Sequence, residues 1–341
     1  MKRIIWIDWA KSFCMFLVVL GHCHLQPSEQ IVTQVIYSFH IPLFFFLSGL
    51  LCQTTFSITS LQKDIRNIIV PYFIFGILQI VFYSILSRDF SLIFYLSSLK
   101  ELCIGNDASI GAIWFLPALF ICKQLYHLAQ WTMRKFSSVK IALIGLTFIP
   151  AYYITQYHIY LPLFADSALF GLPFFIIGSY SRTFIEKRIC KSVLRNAIAT
   201  IFLITLTVVL STYNGFVSVA ICNYGNNILL YYLNAITGIA AVIGMCILLN
   251  GYRRDFVTTT SYGTIVTLGL HGLILLILQY YIPKLGGFYT QFISFPIAIL
   301  YTSITYVICF TITKWGDRYC PQLLGLKGNL SKILKSSISL Q

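Results

Sequence analysis

Charge is scarce in this chain. Only 10% of its 341 residues are Asp, Glu, Lys or Arg, against about 25% in soluble domains. With 58% hydrophobic residues and a mean hydropathy of +0.81, an ordinary water-soluble globular protein is excluded. Alternating ten-residue segments are missing, which excludes a transmembrane β-barrel. No CxxC pair occurs among the ten cysteines, and most thiols read as small packing groups. His22 and His24 flank Cys23, but residues two apart diverge by about 200° on a helix, so no metal site is expected. A small-x-small cleavage site is missing near residues 21–27, so the N-terminal apolar run reads as an uncleaved first transmembrane helix rather than a signal peptide. No internal repeat is visible, which weighs against a transporter built from duplicated halves.

Long continuous apolar runs remain, and they define the fold class: all-α, a polytopic integral membrane protein. Ten spans are expected, at about 5–25, 31–53, 67–86, 113–130, 140–156, 167–181, 196–212, 227–249, 262–281 and 290–313. The sixth is short and interrupted by Pro173. With the N-terminus inside, nineteen of the 24 Lys and Arg fall in cytoplasmic segments, and only Arg88, Lys100 and Lys284 fall outside. That bias predicts both termini in the cytoplasm. The net charge of +14 thus reads as orientation signal, not as nucleic-acid binding. The outer loop at about 87–112 is expected to carry a short interfacial helix. Residues 1–313 are expected to form the membrane domain, and 314–341 a basic cytoplasmic tail able to lie on anionic lipid.

Five polar groupings interrupt the apolar pattern. Lys11 and His22 stand eleven residues apart in the first span, about 1100° of rotation, and so share one helix face. Ionisable groups at such depth cost about 2.5–3.5 kcal/mol each even on the lenient insertion scale, which marks a functional path. The alternative is that Lys11 snorkels to the cytoplasmic surface and His22 lies near the far interface. Asp8, three residues before Lys11, is placed to pair with it, and His22 is suited to act as a general base on a hydroxyl. Lys63 and Arg66 stand at the cytoplasmic mouth of the third span, followed by Pro71 and Tyr72. If that segment is helical they share a face and can bind phosphate; an ordinary positive-inside loop is the competing reading. In the second span His40 precedes an aromatic run ending at Ser48 and Gly49, small residues that permit close helix contact. His40 reads either as a polar lining residue or as an interior histidine with a satisfied partner. Trp114 opens the fourth span and reads more readily as an interfacial anchor than as a substrate contact. His271 lies mid-span within Leu268-Gly-Leu-His-Gly-Leu273 and is a functional candidate by its position alone. Asp166, just before the sixth span, is a weaker candidate that can equally cap a helix.

These motifs resemble a known family. Ile7-Asp-Trp-Ala-Lys11 followed by Val18-Val-Leu-Gly-His22 is similar to the first helix of the membrane acyltransferase 3 family, in which a basic residue precedes a histidine by eleven positions. His40-Ile-Pro-Leu-Phe-Phe-Phe-Leu-Ser-Gly49 resembles the next helix, particularly in fucose 4-O-acetylase-like members. Lys63-x-x-Arg66 with Pro71-Tyr72 resembles the family's Arg-x-x-Arg element, and Trp114-Phe-Leu-Pro-Ala-Leu-Phe120 its fourth helix. The resemblance implies an O-acyltransferase, in the O-acetyltransferase sense, of the bacterial cytoplasmic membrane. Acyl-CoA, with acetyl-CoA the expected donor, supplies the group from the cytoplasm, and a sugar hydroxyl of a surface polysaccharide or its lipid-linked precursor accepts it. Lys11, Lys63 and Arg66 would attract the donor phosphates. His22 would take the acceptor proton or relay the acyl group, with His271 a second catalytic candidate. Asp8, His40, Trp114 and Asp166 would line the substrate path. Some members carry acidic residues after the fourth-helix Trp; here Lys123 is the only charge nearby, which leaves that role unfilled. A transporter or flippase of lipid-linked sugars or acyl groups is the rival reading. The sequence sets neither the acceptor sugar nor the oligomeric state.

Overall fold

The computed structural model describes residues 4–52, 56–105, 108–135, 152–154, 157, 159–188, 192–252, 254–285 and 292–335. Among these residues eight helices are long and apolar enough to cross a membrane. The first helix, α1 (Ile5–Gly21), has seventeen residues and ends at His22, which caps it. The fifth expected span, at 140–156, lies almost wholly outside the described residues. The chain divides into two compact units.

The first unit contains residues 1–40, 191–217 and 229–341. It comprises α1, the opening part of α2 (Gln30–Leu50), α7 (Val193–Asn214), α8 (Ile228–Leu248), α9 (Asp255–Tyr262), α10 (Thr264–Lys284), α11 (Phe295–Tyr319) and α12 (Leu330–Lys335). The last long helix therefore runs past residue 313, where the tail was expected to begin. The chain beyond it folds back: both Asp317 carboxylate oxygens are used, accepting from the Tyr262 hydroxyl (2.5 Å) and the Leu330 amide (2.9 Å). The short α9 packs along α1, where polar atoms replace the oil-like contacts usual between spans. The Ser12 and Thr260 hydroxyls bond at 2.7 Å, and the Ser261 hydroxyl donates to Asp8 Oδ1 at 2.8 Å. Interhelical hydroxyl bonds of this kind act as glue where no hydrophobic driving force separates helix from lipid.

The second unit contains residues 41–190 and 218–228. It holds the rest of α2, then α3 (Ile58–Ser87), α4 (Leu92–Ile104), α5 (Phe115–Lys135) and α6 (Ala165–Arg188). Two sequence expectations are corrected here. The helix of the third span begins at Ile58, not near 67, so Lys63 and Arg66 sit in its first turns, with a π-helical turn at Ile65–Ile69. The sixth is not short: its 24 residues run through Pro173. In both cases charged residues at the helix end lower the local hydropathy without breaking the backbone pattern. The loop at 87–112, where a short interfacial helix was expected, carries the helix α4, with Leu92, Ile93 and Leu96 exposed. It is tied down by the Tyr72 hydroxyl, which donates to Leu102 O at 2.6 Å. Gly49 and Gly178 let α2 and α6 meet backbone to backbone: a Cβ at Gly49 would run into the Phe175 carbonyl, and one at Gly178 into that of Phe46. The aromatic run of α2 is packing surface, with Phe45 and Phe46 buried.

Candidate active site

Three histidines far apart in sequence gather in the first unit. The rings of His22 and His271 meet edge to face, centroids 4.9 Å apart. Tyr37 bridges to the third, lying 6.1 Å from His22 and 4.9 Å from His40. Each imidazole is anchored the same way. His22 Nδ1–H donates to Val18 O, His40 Nδ1–H to Ile36 O and His271 Nδ1–H to Thr267 O, all at 2.8 Å and all one helical turn back. A carbonyl oxygen can only accept, so Nδ1 carries the proton in every case, and Nε2 is the atom left to take one. His271 is 0% exposed, and its Nε2 has no partner. An unmatched buried polar atom costs on the order of 1–3 kcal/mol and calls for an explanation in terms of function or an absent ligand. His22 is only half-buried, so a substrate hydroxyl can approach it.

The structure brings His22, His40 and His271 together and keeps Lys11 on the same helix as His22, half-buried. A strap beyond α1 closes over this end of the unit. The Ile293 amide donates to His24 O at 2.9 Å, the Gln26 amide to Ile293 O at 3.1 Å, and the Phe295 amide to Glu29 Oε2 at 2.9 Å. Tyr37 is the residue that sequence reasoning missed. Its signal was weak, since one tyrosine among 22 stands out only once its neighbours are known.

The remaining candidates lie in the second unit. Lys63 and Arg66 are exposed, one turn apart on α3. Between them Asp64 is buried and forms an ion pair with Lys123 at 2.5 Å. Lys123 is therefore not a lone charge; the acid it meets comes from the basic motif of α3. Trp114, expected at an interface, is 7% exposed and packs against Phe164, centroids 5.6 Å apart. It is a core residue. Asp166 organises the start of α6, accepting from the Leu161 amide (3.2 Å) and the Ser167 amide (2.6 Å). Burial, with the Asp166 carboxylate second, pushes the nearby Cys222 thiol up to about 12, away from the thiolate form that nucleophilic cysteines use.

An imidazole pair anchored through Nδ1, one ring half-buried and the other fully buried, can in a membrane protein accept a proton from a hydroxyl and return it, the chemistry of acyl transfer. The acyltransferase 3 pattern, described as an acyltransferase domain, matches residues 4–314. The chain belongs to the acyltransferase 3 family. As a member it is a multi-pass membrane acyltransferase, an enzyme that transfers groups other than aminoacyl groups. The family match covers both units and every candidate residue named above. No curated protein and no solved structure matches the chain.

Proposed function

We propose that this acyltransferase moves an acetyl group from cytoplasmic acetyl-CoA to a sugar hydroxyl of a surface polysaccharide or its lipid-linked precursor, in the cytoplasmic membrane of a bacterium. The observation that carries this reading is the His22–His271 pair, with Nδ1 fixed by the backbone and Nε2 available. His22 Nε2 takes the proton as the acceptor oxygen bonds to the thioester carbon. The carbon–sulfur bond breaks, and the departing thiolate takes a proton in turn. Lys63 and Arg66, exposed on α3, offer two cations for the donor phosphates, Arg66 with the bidentate fork. Lys11, half-buried in α1, adds a third positive charge. Transfer of label from radioactive acetyl-CoA to a sugar acceptor by the purified protein tests the reading. Absence of transfer to any lipid-linked or soluble sugar, with a folded protein, overturns it.

The reading includes ten spans with both termini cytoplasmic. Eight are the long apolar helices; α1 supplies a ninth and the stretch 140–156 a tenth. Reporter fusions at 100 and 285 are expected to report outside, and those at 63, 136, 190 and 254 inside. Reversed signals at two or more sites overturn this map.

A further inference from the structure

The second unit holds a buried polar cluster for which the proton chemistry has no use. His127 lies one turn beyond Lys123 on α5, so both side chains share a face. It is 5% exposed, and neither ring nitrogen has a partner. Asp64 Oδ2 is likewise unmatched although Oδ1 meets Lys123, and so is Gln124 Nε2. One more turn along, the Gln130 amide donates to the Tyr126 hydroxyl (2.9 Å) and the Tyr180 hydroxyl (3.0 Å). Lys123, His127 and Gln130 thus form a polar file down one face of α5. Polar residues so placed are expensive, and they mark a path or a ligand.

The unmatched atoms state what the ligand offers. The carboxylate oxygen needs a donor, the glutamine nitrogen needs an acceptor, and a neutral imidazole needs one of each. An amide group presents one N–H and one C=O. The ring of Phe56, itself 57% exposed, meets His127 edge to face, centroids 5.8 Å apart. Phe56 stands on the segment leading into α3, at the end where Lys63 and Arg66 are exposed.

We propose that Asp64, Gln124 and His127 bind the amide-bearing arm of a phosphate-bearing donor, while Lys63 and Arg66 hold its phosphates. The inference rests on the acyl-CoA reading above, since the arm between the phosphates and the thioester of coenzyme A carries amides. A carrier protein presents the same arm, but it lacks the adenosine bisphosphate that Arg66 would read.

Equilibrium binding to the purified full chain in nanodiscs separates these terms, with coenzyme A, adenosine 3′,5′-bisphosphate and pantetheine as probes. His127→Phe keeps a ring against Phe56 and removes both nitrogens; Gln124→Met serves as a second variant, and the thermal midpoint reports folding of each. Both are expected to weaken coenzyme A about tenfold, the scale of one or two lost hydrogen bonds, and to leave the bisphosphate unchanged. Arg66→Ala is expected to weaken both of those probes. Coenzyme A affinity unchanged in both folded variants overturns the proposal, as does an equal loss for coenzyme A and the bisphosphate. If the wild type binds the coenzyme no tighter than the bisphosphate, the arm site fails and the donor reading stands. If it binds neither of these but binds a carrier protein's arm in a His127-dependent way, the arm site stands and coenzyme A is excluded as the source. If no probe binds, both fall.

Discussion

The histidine group of the first unit and the Asp64–Lys123 pair of the second are buried by opposite means. In the first, three imidazoles are each oriented by their own helix backbone; His22 meets His271 ring to ring and reaches His40 through Tyr37. In the second, a full positive and a full negative charge face each other at 2.5 Å. A neutral ring costs little to bury and can change its proton count during a reaction. An ion pair is costly to desolvate, and once buried each partner depends on the other. Substitutions at the histidines should therefore show mainly in rate, and substitutions at the ion pair mainly in stability.

The largest expected effect tests the first half of that contrast. His22→Ala should lower transfer by about 10²–10⁴-fold, the usual worth of general-base help, with the thermal midpoint in detergent little changed. Activity within about tenfold of wild type would exclude His22 as the base. The second half is tested by Lys123→Met, which leaves Asp64 buried and unpaired. It should cost about 3–5 kcal/mol of stability, read as a drop in the melting temperature. Adding Asp64→Asn should restore most of the loss. If the single and double variants melt alike, the pair is not what holds α3 to α5.

The sequence allowed one half of this contrast to be read and hid the other. Lys11 and His22 declared themselves because both interrupt a single apolar run. His40 and His271 also stood out, but nothing in a linear chain says that residues 22, 40 and 271 converge. Helix existence followed from the apolar runs, whereas ends near charged residues were misplaced, because hydropathy reports the solvent and not the backbone. The Asp64–Lys123 pair escaped for a different reason. Asp64 sits between two cations that drew a phosphate-binding reading, and its partner stands 59 positions away.

Two smaller effects sharpen the contrast further. Gly178→Ala has no room against the Phe46 carbonyl, and overpacking of this kind costs about 1–3 kcal/mol. It should lower the melting temperature while the Km values stay put; a shift in Km without a shift in melting would mean that the α2–α6 contact shapes a substrate site. Tyr37→Phe should be the mildest change. The ring contacts that bridge His22 and His40 are kept, and activity should stay within about twofold. A loss beyond tenfold would make the hydroxyl a participant.

The backbone anchoring of the histidines has one more consequence. In a serine-protease-like triad the base is steered by a carboxylate elsewhere in the chain, which also raises its basicity. Here the steering group is the carbonyl four residues back in the same helix. The direction of each base is thus encoded locally and survives drift in every neighbouring helix, so long as its own last turn stays wound. For His22, which stands at the very end of α1, fraying of that single turn would free the ring to rotate and would disarm the base without altering any residue that touches a substrate.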